Sequence, residues 1–411
     1  MLPRILLQMG TQTSNRDVVF LSGVRTPFGT YGGALRDVSA IELGVIASEA
    51  AMLRANIAPA SIQQTIFGNV LYTSNDSPYF ARHVALRSGC PIESPALTVN
   101  RLCGSGFQAV VSGAMEIITG ESEVCLVGGS ESMSQAPHAV RGIRWGVPMG
   151  RSPVLEDTLT EGLKDSFAGI GMGETAENLG QQYGIGREAS DEFALRSQHL
   201  ARDAWASGVY DAEVIPVPVT DPKTRQKEEF SRDEHLRPDS TAEGLAKLRP
   251  VFRENGVVTA GNASGIGDGA AAMIIASREY AENHGLKPLG RLVSWGLAGV
   301  DPRIMGIGPV PASKAALERA HMSIDDMDLI EINEAFATQT CAVASEMHIP
   351  IDKLNVHGGA VALSHPLAAS GARITVHLLH ALRSSGKRFA LGSACIGGGQ
   401  GIAVVVESLG A

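Results

Sequence analysis

No stretch of this sequence approaches the length and apolarity of a membrane span, and none of its cysteines stands in a CxxC pair. The five thiols, Cys90, Cys103, Cys125, Cys341 and Cys395, are odd in number and widely scattered. Neither a disulfide framework nor a zinc site is expected, and no metal ligand set is read anywhere. Positive charge is short as well: 34 Lys and Arg stand against 43 Asp and Glu, a formal net charge of -9. That balance excludes bulk attraction to nucleic acid or to an anionic membrane surface. A phosphorylated ligand must then be met by a local basic patch, and residues 223–253, with eight Lys or Arg against six Asp or Glu, are where one is expected. A GxGxxG after an early strand is missing, which argues against a dinucleotide-dependent oxidoreductase. Aromatic residues make up only 5% while glycines number 47. A core of small aliphatic side chains with many tight strand–helix junctions suits an α/β architecture. The N-terminal stretch MLPRILLQMGTQTSNRD has too short an apolar run for a secretory signal, and VVVESLGA ends in no peroxisomal tripeptide. A reducing compartment is expected, bacterial cytoplasm or mitochondrial matrix, with Arg4 and Arg16 leaving a presequence open.

What is present in abundance is repetition. The run ASEAAMLRANIAPASIQQTIFGN near residues 47–69 aligns with PASKAALERAHMSIDDMDLIEINE near 311–334, each pair offset by 265 residues. The same shift carries Ser105-Gly106 onto Ser370-Gly371 and Cys103 onto Ala368, so a duplicated fold is the simplest explanation. Each copy reads as helix then apolar strand: FQAVVSGAMEIITG then EVCLVGG in the first, ARITVHLLHALRSSG then RFALGSACIGGGQGIAVVVES in the second. The last segment predicts two strands joined by a glycine hairpin, an antiparallel pair at the edge of a mostly parallel sheet. Between the copies lies a stretch of different texture, with proline-punctuated loops and an amphipathic helix in REASDEFALRSQHLARDAWASG. It reads as an insertion that serves binding or assembly.

Cys103 sits in VNRLCGSG, on a glycine hinge between an apolar run and a predicted helix. Backbone N–H groups and the helix dipole there are expected to lower its thiol pKa and make thiolate available near neutral pH. Candidate partners cluster at turns of the second copy: Asn333 and Glu334 in NEAFA, His365 in GGAVALSHPLAASG, and Cys395 in CIGGGQG. An imidazole within reach activates a thiol nucleophile. A second thiol on a glycine hairpin points to one cysteine attacking a carbonyl while the other moves a proton, with Gly397, Gly398 and Gly399 letting N–H groups approach an oxyanion.

These four motifs, together with RTPFG at Arg25, SESMSQAPH at Ser130, AENLG at Ala176 and VTAGNASG at Val258, resemble the thiolase family over nearly the whole chain from Asp17, the 3-ketoacyl-CoA thiolases in particular. The resemblance implies two similar βαβαβαββ halves in a five-layered α-β-α-β-α core with an inserted loop domain. The corresponding boundaries are an N-terminal extension at 1–16, one half at 17–133 and 264–287, a coenzyme A-binding loop domain at 134–263, and the second half at 288–411. It also implies roles. Cys103 becomes acylated, His365 activates it and lines one oxyanion hole, and Asn333 holds a water there. The N–H groups of Cys103 and Gly397 form a second hole, and Cys395 is the acid/base. Coenzyme A enters as co-substrate with no permanently bound cofactor, gripped by Arg237 near its adenine end and by Phe252, Ala260, Ser264, Met172, Ala335 and Phe336 along the pantetheine channel. The implied reaction is thiolytic cleavage of 3-ketoacyl-CoA, or the reverse condensation, by a homodimer or homotetramer, with Arg141–Glu161 as the expected tetramer contact.

Two positions depart from the family's GHPxG pattern: Ser364 and Ala368 stand where glycines are usual. Either is expected to narrow the acyl path or to strain a positive φ. Gly171, where acetoacetyl-CoA thiolases commonly carry histidine, favours longer acyl chains. The alternatives are an acetoacetyl-CoA-specific acetyltransferase, a silent acyl-CoA binder on the same fold, and a ketoacyl synthase, against which the second cysteine argues.

Overall fold

The computed structural model describes residues 17–220 and 224–410. The expected N-terminal extension, with Arg4 and Arg16, and Lys223 of the basic stretch lie outside the described residues. Nine strands form one mixed sheet: β1 (Val18–Arg25), β2 (Gln64–Gly68), β3 (Ala96–Val99), β4 (Val124–Ser132), β5 (Gly267–Ser277), β6 (Gly290–Gly299), β7 (Leu329–Ile332), β8 (Phe389–Ile396) and β9 (Gln400–Ser408). Their order is 7-8-9-6-1-5-4-2-3, with the two-residue Gly29–Thr30 strand paired to β5 off this path. The halves meet where β1 and β6 pair antiparallel at Val19–Arg291 and Phe20–Gly290.

The 265-residue offset survives in three dimensions. It carries Gln64 at the start of β2 onto Leu329 at the start of β7, and Val124 of β4 onto Phe389 of β8. Helix α1 (Ala40–Ala55) ends on Asn56 in the left-handed conformation, and its counterpart α6 (Pro309–Ala320) ends the same way on His321, again 265 residues on. The remaining long helices are α2 (Phe80–Arg87), α3 (Ser105–Thr119), α4 (Met172–Tyr183), α5 (Arg187–Ala206), α7 (Ala337–Met347) and α8 (Leu367–Ser385).

Side-chain alternation builds five layers. Along β5, Ala271, Met273 and Ile275 face α3 and α8, while Ala270, Ala272, Ile274 and Ala276 face α1 and α2. In the second half, Ile402, Val404 and Val406 of β9 join the central cluster, and Ala403 and Val405 pack under α6 and α7. Strands covered on both faces must be apolar throughout, which is why these read as continuous hydrophobic runs. The glycine hairpin therefore does not lie at an edge: β9 pairs with β6 and β8 with β7. Its second strand is buried along nearly its whole length, and the interior of the sheet is where such a strand belongs.

The central pair of helices positions the chemistry. A Cβ on Gly106 of α3 would lie 2.3 Å from the Ala372 nitrogen, and one on Gly371 of α8 would lie 2.5 Å from the Phe107 nitrogen. Only glycine allows so close a crossing, and it brings the N-termini of both helices to one place. Each half supplies one active-site turn by the same device.

The chain between Ser132 and Gly267 leaves the sheet and carries α4, α5 and three small hairpins. It is fastened to both halves by buried charge. The Arg25 guanidinium of the RTPFG motif bonds Glu213 Oε1 and Asp233 Oδ1, each at 2.7 Å, and His377 Nδ1 lies 2.8 Å from Glu213 Oε2. These ions hold each other through multiple hydrogen bonds, the condition for burying charge at all. Asp233 is thereby turned away from the surface, and Glu234 is spent on the backbone of Thr30 and Ala34. Two of the six carboxylates within 224–253 are thereby engaged inside the fold rather than facing solvent.

Candidate active site

Cys103 occupies a single 3-10 turn (Leu102–Gly104) directly ahead of α3. It is half-buried and packs with Leu71, Met133 and Leu367. The backbone N–H groups of Gly397 and of Cys103 itself bear on its sulfur and hold the pKa down, yet burial and the nearby Glu131 outweigh them and push it up to about 11. The expectation of a lowered pKa fails here: the helix start is present, but the apolar wall costs the thiolate more than two N–H groups return. At rest the nucleophile is a thiol that needs a base.

His365 supplies one. Burial and the Arg373 charge push its pKa down to about 3, so the ring is neutral. Its tautomer follows from its neighbours. The Ser370 hydroxyl donates to the Pro366 carbonyl at 3.0 Å, so at 2.5 Å it accepts from Nδ1 of His365. That leaves the Nε2 lone pair as an acceptor, and the Asn333 Nδ2 amide donates to it at 3.4 Å. Asn333 is fully buried, and its Oδ1 has no partner among the described residues.

Cys395, next to last in β8, is fully buried among Met305, Ala335 and Phe336. Burial first, and then Cys103 beside it, raise its pKa well above the ordinary thiol value, so it carries its proton across the physiological range. Gly397 packs its backbone against Met172: a Cβ there would stand 3.2 Å from the Met172 sulfur.

Cys103 and His365 open into a cavity of about 450 Å³ whose wall includes Met172, Phe252, Ser264, Ala335 and Phe336 of the expected set. Phe252 and Phe336 meet edge to face at 6.3 Å. Asn333, Cys395 and Gly397 do not line this cavity but stand directly behind its wall. Arg237 and Ala260 line a second, outer cavity of about 550 Å³ together with Gln198, Ser240 and Thr241. The Ala260–Ser264 segment runs from one cavity to the other, and His235 lies between them against Gly265. Gly171 also lines the inner cavity, where a side chain would enter nearly open space. Among the described residues, no group of His, Cys, Asp and Glu is arranged to hold a metal ion.

Neither Ser364 nor Ala368 lines the inner cavity, contrary to the expected narrowing; Leu367 takes that place. Ser364 acts through its backbone instead, with φ 87 and ψ 167, a region essentially reserved for glycine. Its hydroxyl donates to the Gly265 carbonyl at 3.1 Å, and the His365 N–H donates to the same oxygen at 2.9 Å. Glycine ordinarily costs about 0.5–1 kcal/mol relative to alanine in regular structure. Here the order should invert: Ser364→Gly is expected to be more stable than Ser364→Ala by about 1–2 kcal/mol, read by denaturant unfolding. The ratio of turnover between short and medium acyl chains should stay unchanged in both. Alanine as the more stable variant would remove the strain argument.

Sequence reasoning passed over Ser370, Glu131 and the outer-cavity polar groups Gln198, Ser240 and Thr241. Ser370 was within reach, because it is the repeat partner of Ser105 and stands five residues after His365. Glu131 carried a signal too, a carboxylate two residues after the apolar run VCLVGG.

The "Thiolase, N-terminal domain" profile matches residues 18–279 and the "Thiolase, C-terminal domain" profile residues 286–408. The chain belongs to the thiolase family, a class of acyltransferases. It is 51% identical over 393 residues to the mitochondrial 3-ketoacyl-CoA thiolase of Homo sapiens, covering 96% of this chain and 98% of that one. It is 48% identical over 396 residues to a beta-ketothiolase of Cupriavidus necator, covering 96% and 100%. The crystal structure of human mitochondrial 3-ketoacyl-CoA thiolase in complex with CoA superposes with a TM-score of 0.93 at 50% identity, covering 96% of this chain and 98% of that one.

Proposed function

We propose that this chain catalyses the CoA-dependent thiolytic cleavage of 3-ketoacyl-CoA to acetyl-CoA and a shortened acyl-CoA, and the reverse condensation, through an acyl-Cys103 intermediate. The observation that carries the reading is the meeting of the Cys103 thiol and the neutral His365 imidazole at the floor of an apolar cavity, with the second thiol, Cys395, packed behind its wall. Nε2 of His365 takes the Cys103 proton as the sulfur attacks the 3-keto carbon. The C2–C3 bond then breaks and its electron pair moves into the enolate of acetyl-CoA. Cys395, still holding its proton, delivers it to C2. A second CoA thiol gives its proton to the Cys395 thiolate and attacks the acyl carbon, and the Cys103–acyl bond breaks as Cys103 leaves and recovers its proton from His365. The enolate is the costly species. Stabilisation falls to His365 and Asn333 at one oxyanion and to the Cys103 and Gly397 N–H groups at the other, each donor contributing about 2.7–4 kcal/mol.

Arg237 and the outer cavity suit the phosphate-bearing adenine end of CoA, and Ala260, Ser264, Met172, Phe252, Ala335 and Phe336 suit its pantetheine arm, CoA being a co-substrate with no permanent cofactor beside it. The segment 134–263 is the CoA-binding unit, set between a first half of 17–133 with 264–287 and a second half of 288–411. The open space at Gly171 supports chains longer than acetoacetyl. A second copy of the chain covers the free edge strand β3, where Leu97, Tyr72 and Tyr79 are exposed, since an uncovered apolar edge invites pairing. Exposed Trp145 and Met149 suit the contact that turns dimers into a tetramer, and a stable monomer by light scattering would overturn both. No helix among the described residues is long and apolar enough to cross a membrane, and a mitochondrial matrix or bacterial cytoplasm fits the relatives.

The test is spectrophotometric loss of the 3-ketoacyl-CoA enolate on adding CoA, across chain lengths. Turnover of medium chains is expected. Activity on acetoacetyl-CoA alone would favour the acetyltransferase reading, and none at any length a silent binder.

A further inference from the structure

Glu131 ends the apolar run of β4 as a fully buried carboxylate. Four N–H donors converge on it. Oε1 accepts from the Asn69 side chain at 3.2 Å and the Leu71 backbone at 3.1 Å, and Oε2 accepts from the backbones of Val70 at 3.1 Å and Ala368 at 3.2 Å. The donors belong to separate parts of the molecule: the loop after β2 in the first half, and the first turn of α8 in the second. Both parts carry walls of the Cys103 pocket, since Val70, Leu71 and Leu367 pack with the nucleophile in one apolar cluster. Burial pushes the Glu131 pKa up to about 8 while the N–H donors hold it down. The titratable groups that bear on it are Asp268 across the β4–β5 ladder and Cys103.

We infer that Glu131 is a positioning residue for the reaction proposed above: it staples the loop 69–71 to the start of α8, fixing the pocket around Cys103, and above its own pKa of about 8 it sets a negative charge beside that thiol. The first role assembles the site across the halves. The second holds the thiol protonated to higher pH once Glu131 itself is ionised, adding to the effect of burial. This rests on the thiolase reading for what the site does, but not for the effect on the thiol.

The two roles separate in Glu131→Gln, which removes the charge and turns one acceptor into a donor facing two N–H groups. Turnover is expected to fall roughly 10²-fold as the pocket loosens. Alkylation of Cys103 by iodoacetamide, followed by peptide mass spectrometry above pH 9, should instead run roughly three- to tenfold faster, because a thiol freed of a neighbouring anion ionises at lower pH. Glu131 is ionised throughout that range, since its own pKa lies below it. Loss of activity with alkylation unchanged or slowed would reduce Glu131 to a structural residue and overturn the inference. A wild type inert toward every 3-ketoacyl-CoA, beside faster alkylation in the variant, would sink the thiolase reading and leave the effect on Cys103 standing. Should Glu131→Gln fail to fold, Glu131→Asp keeps the charge and shortens the reach: slower turnover with a wild-type alkylation profile supports the inference, and full turnover contradicts it.

Discussion

Cys103→Ala is expected to lower thiolytic turnover by roughly 10⁴-fold or more while leaving CoA affinity within about threefold of wild type. The asymmetry follows from geometry. Cys103 sits at the floor of the inner cavity, whereas Arg237 and Ala260 line the outer one, so removing one sulfur leaves untouched the cavity proposed to hold the adenine end. Stability should change little, because a half-buried thiol among Leu71, Met133 and Leu367 is replaced by a methyl in the same apolar setting. Steady-state kinetics and calorimetric titration with CoA read the two quantities. Retained turnover would remove Cys103 as the nucleophile, and lost CoA binding would show that the cavities are one energetic unit.

Cys395→Ser is expected to part the half-reactions. Transfer of an acetyl group from acetyl-CoA to Cys103 needs no carbanion, and its base is His365. Exchange of the acetyl methyl protons with deuterium does need one, and in this reading its proton passes through the buried thiol behind Met305 and Phe336. Serine ionises far less readily than cysteine, so deuterium exchange should drop by about 10²–10⁴-fold while exchange of labelled CoA into acetyl-CoA persists. Equal losses in both would assign Cys395 to acylation. Normal deuterium exchange would take it out of the mechanism.

Much of this was legible from spacing. The 265-residue offset announced two copies, with Gly106 and Gly371 among the matched positions; that these two glycines mark the crossing of α3 and α8 is visible only in three dimensions. Cys103 and His365 were readable because a functional residue ahead of a helix leaves a turn signature in one dimension. The thiol's pKa was not: a helix start can be seen in sequence, but the apolar residues that bury it come from residues 71, 133 and 367. What Glu131 binds was hidden for the same reason, its donors lying some 60 and 237 residues away. The glycine hairpin is legible as a turn, but its antiparallel geometry suggests an edge, whereas the two-faced apolarity of β9 fixes it inside the sheet. Ser364 was recognised as a departure, and only backbone angles could tell strain from an obstructed path.

The central claim is that the acyl group rests on Cys103. Wild-type protein mixed with a medium-chain 3-ketoacyl-CoA in the absence of free CoA, quenched in acid and digested, should give acylated peptide containing Cys103, with Cys395, Cys341, Cys125 and Cys90 unmodified by mass spectrometry. Acylation at Cys395, or on no cysteine while substrate is consumed, would contradict it.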